Sequence, residues 1–274
     1  MSTGPAWSAS FGAAALSAME VYDEVMVPRL FGPWGEYLVD QLEIAPGETV
    51  LDVACGPGSV TQIAAERVGA LGRVTGCDVS PAMLALARAK PAVSEGATIA
   101  YLEAPADQLP VEDALFDVVI CQQGLQFFSD RPAAVTEMHR ALGASGRLGI
   151  AVWTEIDHSP PFRALAIGIE DVAGAELADR YRGGPWGFPS GEQLAVLLQD
   201  AGFDEVHVAT HVLPVTFEDG PAQLAATLAA TPVADEIDKL SSEQKQRLAL
   251  AVARSIGDGP IYSHLESNVA LARR

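Results

Sequence analysis

Val50-Leu51-Asp52-Val53-Ala54-Cys55-Gly56-Pro57-Gly58, with Gly76-Cys77-Asp78-Val79-Ser80-Pro81 behind it, decides the fold of this chain. An apolar strand runs into a glycine-rich turn that carries an acidic residue, and a helix follows. A second strand then ends in a second carboxylate, Asp78, about 20 positions beyond the glycines. That is the spacing of a βαβ unit that grips a nucleoside. Glycine suits the turn because a Cβ would keep the backbone away from a ligand. Asp78 stands where a carboxylate accepts hydrogen bonds from both hydroxyls of a ribose.

The nucleoside is narrowed by what surrounds the glycines. A nicotinamide or flavin fingerprint reads G-x-G-x-x-G/A, its last small residue letting helix and strand pack closely. Here Gly56-Pro57-Gly58-Ser59-Val60-Thr61 puts a β-branched threonine in that place. Asp52, four residues before Gly56, would also face a pyrophosphate with a like charge. A ligand carrying an ammonium and a sulfonium suits the turn better, and no G-x-x-x-x-G-K-[ST] loop is present.

The run from Val50 to Gly58 resembles the first motif of class I S-adenosylmethionine-dependent methyltransferases, with Ala54 in the first glycine place. Leu109-Pro110-Val111-Glu112-Asp113-Ala114-Leu115-Phe116-Asp117-Val118-Val119 is similar to a stretch of the ubiquinone/menaquinone-biosynthesis methyltransferases. So is Glu137-Met138-His139-Arg140-Ala141-Leu142-Gly143-Ala144-Ser145-Gly146-Arg147. Tyr22 to Trp34 resembles the N-terminal cap of that small-molecule branch, and Ala201-Gly202-Phe203 is a weaker echo. The resemblance implies an enzyme, an S-adenosylmethionine-dependent methyltransferase that releases S-adenosylhomocysteine.

Composition excludes several alternatives. A formal charge of −19 disfavours nucleic acid and anionic membrane surfaces. Cys55, Cys77 and Cys121 fall at strand ends with a spacing that suits neither zinc nor a disulfide framework, so they read as small buried residues in a reducing cytosol. No signal-peptide pattern and no apolar run of about 18 residues occurs, so the expectation is a cytoplasmic protein with no membrane insertion and no metal. A homodimer is compatible with the sequence.

Strand and helix alternate along the chain, which predicts an α/β fold: a doubly wound, mostly parallel seven-stranded sheet of Rossmann-like methyltransferase type. The whole of 1–274 reads as one methyltransferase domain. It comprises a helical cap at 1–45, a cofactor-binding core at 46–153, a lid insertion at 154–190, and a C-terminal part at 191–274 with a second helical insertion. Residues 1–17 read as frayed, with cap helices at 18–30 and 33–43. Strands are expected at 49–54, 73–78, 98–103, 117–122, 147–153, 205–212 and 267–272. Core helices are expected at 59–68, from Ser80-Pro81 onward, at 133–142 stopped by Gly143, and at 190–201; helical insertions at 162–181 and about 219–256 complete the pattern.

The candidate cofactor residues follow from these placements. Gly56, Pro57 and Gly58 form the turn beneath the methionine part and ribose, beside Ala54; Asp52 orients the ammonium through water or the turn amides. Asp78 holds the ribose, with Val79 next to it, and Met83 stacks on the adenine through its polarizable thioether. Where family members carry an Asp-Ala pair, this chain has Pro105-Ala106, so the Ala106 amide or Asp107 takes the adenine edge. Gln122 and Gln123 offer a carbonyl to the ammonium. Tyr22 and Phe31 close over the methionine end, as the resemblance implies.

A sulfonium methyl is already activated, so the protein has mainly to align a nucleophile and exclude water. The catalytic candidates are His158, as proton acceptor for an oxygen or nitrogen nucleophile, and Gln126, as a substrate contact. His139 reads as structural, while His207 and His211 read as surface residues. Trp153, Phe162, Tyr181, Trp186 and Phe188 would give the lid aromatic walls for an apolar or aromatic small-molecule acceptor. Two other readings are a protein that uses the same cofactor for rearrangement or cyclisation, and a non-catalytic binder. A nicotinamide oxidoreductase comes last because of Thr61.

Overall fold

The computed structural model describes residues 21–188 and 190–274. The frayed segment expected at 1–17 and the start of the first cap helix lie outside the described residues.

Among the described residues seven strands form one sheet: β1 (Thr49–Val53), β2 (Arg73–Asp78), β3 (Thr98–Glu103), β4 (Phe116–Gln122), β5 (Leu142–Trp153), β6 (Asp204–Phe217) and β7 (Ile261–Arg273). Their order is β3-β2-β1-β4-β5-β7-β6. β1 to β5 are parallel, with Val50 opposite Val74 on one side and Val118 on the other. The last strand reverses. Residue 154 bonds to 266 while 274 bonds to 146, so β7 runs antiparallel to β5. The Arg273–Glu205 and Thr210–Asn268 contacts set β6 antiparallel to β7 in the same way. The central parallel strands β1 and β4 are buried on both faces, as Val118 to Cys121 show with no exposed surface, whereas the edge strand β3 is partly exposed along its length.

The helices are α1 (Gly32–Gln41), α2 (Ser59–Val68), α3 (Pro81–Ala89), α4 (Arg131–Ala141), α5 (Pro160–Ala173), α6 (Ala175–Gly183), α7 (Gly191–Asp200), α8 (Pro221–Ala226), α9 (Ala234–Asp238) and α10 (Ser242–Ile256). Tyr22–Phe31 forms a wide, π-type helix that contains Pro28. Ser80 caps α3 as its sequence predicts, accepting from the Met83 amide at 3.3 Å, with Pro81 in the first turn. Ser190 caps α7 likewise.

Contacts divide the chain into two compact units. Among the described residues, one comprises 21–30, 153–188 and 212–266; the other comprises 31–152, 190–211 and 267–274. In the first unit α5 packs on α6 and α10, and a ring cluster forms. Trp186 lies 5.7 Å from Trp153 and 5.2 Å from Phe162, which in turn meets Phe217. All five aromatic residues expected in the lid segment are buried. In the second unit the core strands carry α1 to α4 and α7.

Several boundaries differ from the sequence reading. Gly143 does not stop α4, and β5 starts at Leu142 instead of Arg147. Ala114 and Leu115 donate to the carbonyls of Arg140 and Ala141, and Phe116 pairs with Leu142, so strand pairing takes over at the helix end. β1 stops at Val53 because Ala54 turns to φ 58°. The helix expected over 162–181 is broken by Gly174 at φ 87°, a conformation only glycine adopts without strain. β6 and β7 continue well beyond the predicted 205–212 and 267–272.

The two segments that resemble quinone-biosynthesis methyltransferases downstream of β3 bind each other. Arg140 donates to both carboxylate oxygens of Glu137 at 2.7 and 2.8 Å, to Asp113 at 2.7 Å, and to the carbonyls of Leu109 and Val111. Glu137 also accepts from the Leu109 amide at 3.0 Å, and the Arg140 guanidinium holds its carboxyl below the usual range. A planar, five-donor guanidinium can make this set and an ammonium cannot. It fixes the loop before β4 against the C-terminal end of α4.

Candidate functional site

The chain leaves β1 in one direction to β2 and β3, then returns to place β4 on the other side of β1. Ligands of doubly wound sheets sit outside the carboxyl ends of the strands at such a reversal. A cleft of about 190 Å³ lies there, within the second unit. Val53 and Ala54 from the end of β1, Cys77, Asp78 and Val79 from β2, and Ala104 to Asp107 after β3 form one side. Phe127, Phe128, Ser129, Asp130 and Ala134 form the other.

Asp78 clamps the turn. Its Oδ2 accepts from the Gly56 amide at 2.8 Å and its Oδ1 from the Ser80 amide at 2.8 Å. Each carboxylate oxygen keeps a further lone pair for a ligand hydroxyl. The turn itself uses left-handed backbone at Ala54, Gly56 and Gly58, with φ of 58°, 55° and 78°. At Gly58 the direction of a Cβ is already filled: the Tyr101 hydroxyl would stand 2.6 Å away, so glycine is required there by packing against β3.

Asp52 lies beneath the turn, 1 % exposed, and accepts from the Thr61 hydroxyl at 2.6 Å. Burial pushes its carboxyl up to about 7; the Asp78 charge adds to this and the Thr61 hydrogen bond opposes it. The three cysteines are free and buried, and burial raises their thiols, to about 11 at Cys77 and about 12 at Cys121. They behave as the small hydrophobes the sequence suggested.

Of the residues singled out by sequence, Ala54, Asp78, Val79, Ala106 and Asp107 line the cleft together. Gly56, Pro57 and Gly58 form the turn that follows Ala54, tied to Asp78 through the Gly56 amide and not among the lining residues, and Asp52 is buried. Met83 is half-buried in the first turn of α3 and is not a lining residue. Gln122 donates to the Phe31 carbonyl at 3.2 Å, and Gln123 to the Ser267 hydroxyl at 3.1 Å. Gln126 is 5 % exposed and donates to Gln123. Tyr22 and His158 belong to the first unit, where His158 is exposed and pairs with Glu266 at 2.5 Å. His139 packs edge-on against Phe203, which fits its structural reading. His207 is exposed as expected, whereas His211 is half-buried and bonded to the Tyr37 hydroxyl at 2.7 Å.

The sequence reading missed Phe127, Phe128 and Asp130. The aromatic pair lies five and six residues beyond the buried end of β4, and Asp130 precedes Arg131-Pro132 as the cap of α4, accepting from Ala133 at 2.9 Å. A cap residue at the mouth of a parallel sheet was the available signal. Val79 and Phe127 are 67 % and 57 % exposed, which leaves two large apolar side chains facing the cleft uncovered.

This sheet order, with its acidic clamp on a glycine turn, defines a Rossmann-like methyltransferase fold. A sequence profile described as the ubiE/COQ5 methyltransferase family matches residues 14–216, and the chain belongs to that family. It is 29 % identical to a demethylmenaquinone methyltransferase of Shouchella clausii over 202 residues, 70 % of this chain and 86 % of that one. An uncharacterised protein of Mycobacterium bovis is 37 % identical over 130 residues, 47 % of this chain. The match spans 46 % of that mycobacterial protein, about half its length. Among solved structures, a Bacillus halodurans C-125 protein called a putative methyltransferase superposes with a TM-score of 0.57 at 20 % identity, over 88 % of this chain and 99 % of that one. The [4+2]-cyclase SpnF superposes with a TM-score of 0.53 at 23 % identity, over 89 % and 80 %. These structural likenesses concern the fold. Among the described residues no helix is long and apolar enough to cross a membrane.

Proposed function

We propose that this chain transfers the methyl group of S-adenosylmethionine to a small apolar or aromatic acceptor by in-line displacement. The observation that carries this reading is the charge of the cleft: Asp78, Asp107 and Asp130 line it, with no lysine or arginine among the lining residues. A pyrophosphate would meet three like charges there, while a nucleoside bearing an ammonium and a sulfonium meets opposite ones. The demethylmenaquinone methyltransferases among its relatives support a quinone-like acceptor.

Bound in the cleft, the cofactor supplies an electrophilic methyl on positively charged sulfur, so no side-chain nucleophile is needed. Asp78 takes the ribose hydroxyls on the lone pairs left over from Gly56 and Ser80. Val79 and Phe127 flank the adenine, and the Ala106 amide or Asp107 meets its edge. Asp52 acts on the ammonium through the turn above it, and the ends of β4 at Gln122 and Gln123 offer carbonyl oxygens.

Incubation with S-adenosylmethionine carrying a deuterated methyl group and a short-chain demethylmenaquinol tests the reading. Methyl transfer gives a labelled product and S-adenosylhomocysteine. A second reading, cofactor-assisted cyclisation, draws on the fold shared with a [4+2]-cyclase; it gives a product of unchanged mass with the cofactor intact. A non-catalytic binder takes up the cofactor without turnover.

A further inference from the structure

Gln126 ends a hydrogen-bond chain whose direction is fixed from its far end. The Val152 carbonyl can only accept, so the Ser267 hydroxyl donates its hydrogen there, at 2.7 Å. Ser267 Oγ therefore accepts from Gln123 Nε2 at 3.1 Å. That leaves Gln123 Oε1 facing Gln126, where it accepts from Gln126 Nε2 at 3.3 Å. Flipping either carboxamide would set like groups against each other. What remains at the near end is Gln126 Oε1, buried and with no partner from the protein. Buried acceptors are ordinarily paired, and an orphan of this kind points to a function.

The backbone sets Gln126 in the turn after the carboxyl end of β4, directly before the lining residues Phe127 and Phe128 and not itself among them. Gln123 turns off β4 at φ 55°. Gly124 then passes so close to the cofactor turn that a Cβ on it would lie 2.6 Å from Ala54 Cβ. Arg131 secures the Gln126 carbonyl at 2.9 Å, and the next two residues, Phe127 and Phe128, line the cleft.

We infer that Gln126 presents Oε1 as a fixed hydrogen-bond acceptor to an O–H or N–H of the methyl acceptor, and so selects acceptors that carry such a hydrogen. This deepens the proposed function and rests on it. Ser267, in this account, never touches the ligand; it sets the direction of the chain and is a positioning residue.

The test uses the full chain saturated with S-adenosylhomocysteine, titrated calorimetrically with 1-naphthol and with 1-methoxynaphthalene, which differ in the donor hydrogen. The wild type is expected to bind 1-naphthol about tenfold more tightly, the value of one buried hydrogen bond. Gln126→Leu is expected to bind the two alike, and Ser267→Ala to narrow the preference. Gln126→Met, of similar length, replaces the leucine variant if that one does not fold. Equal binding by the wild type, no uptake of 1-naphthol, or an undiminished preference in Gln126→Leu would overturn the inference. A tenfold loss of S-adenosylhomocysteine affinity in Gln126→Leu would assign the donor to the cofactor's ammonium and overturn selection of the acceptor. Failure of the wild type to bind S-adenosylhomocysteine at all would strike the proposed function itself.

Discussion

Thr61 donates its hydroxyl hydrogen to Asp52 Oδ2 at 2.6 Å, between the first turn of α2 and the end of β1, with neither side chain reaching solvent. The residue that departs from a dinucleotide fingerprint is therefore the partner of the acid that departs from it as well. A glycine or alanine at 61 would leave Asp52 without this donor. Thr61→Val, nearly the same shape, removes the hydrogen bond alone and is expected to cost about 1–3 kcal/mol. In a chain of this size that lowers Tm by roughly 2–10 °C. Thr61→Ser should recover most of it in differential scanning calorimetry.

Asp52 also gives stability a pH dependence. Its folded-state carboxyl is raised to about 7 from 3.8, mainly by burial, so the fold binds its proton more tightly than the unfolded chain does. The contribution is complete below about pH 4 and is lost as pH rises through 7. At roughly 1.4 kcal/mol per unit its ceiling is about 4 kcal/mol. Urea unfolding of wild type and Asp52→Asn between pH 5 and 8 should show the wild type losing ground to the variant up to about pH 7 and levelling off above it. Parallel curves would show that Asp52 is not the group responsible.

Ala54 and Gly124 constrain each other. Ala54 holds a left-handed backbone that costs an L-residue about 1–2 kcal/mol, and its Cβ occupies the space a side chain at 124 would need. Ala54→Gly alone is expected to stabilise by up to about 1 kcal/mol. Gly124→Ala should destabilise by more than 2 kcal/mol, and the double variant should recover part of that loss. Additive effects in a double-mutant cycle would contradict the close approach.

Phe127 is exposed at the cleft and contributes little to the core. Phe127→Ala should leave Tm within about 1–2 °C of wild type, since surface substitutions change stability by about 0.5 kcal/mol or less. Its affinity for S-adenosylhomocysteine should drop about tenfold, as a buried aromatic contact is removed from the ligand. Unchanged affinity would exclude Phe127 from the adenine wall.

Much of this was legible in the sequence because local chemistry fixed it. Ser80-Pro81 announces a helix start on its own, and the apolar run 117–122 announces a strand buried on both faces. Asp78 was readable from its distance to the glycines. What escaped depended on partners far along the chain. The early start of β5 needs Phe116 opposite Leu142, and the length of β6 and β7 needs each other. Tyr101 filling the space above Gly58, and the Gln126–Gln123–Ser267 chain, join residues that no spacing relates. Asp52 reads from the sequence as acting on the ammonium through water or the turn amides; that it is enclosed under the turn with Thr61 as its partner was not legible, because strand position fixes the residue's place and only packing decides which way is out.

The central claim is that the carboxylates at the ends of β1 and β2 serve a positively charged sulfur nucleoside. Isothermal titration of the purified chain with S-adenosylhomocysteine, and separately with NADH, tests it most directly. One site of micromolar affinity for S-adenosylhomocysteine, weakened at least a hundredfold by Asp78→Ala, with no heat from NADH, is the expected result. Tight NADH binding with no response to S-adenosylhomocysteine would contradict it.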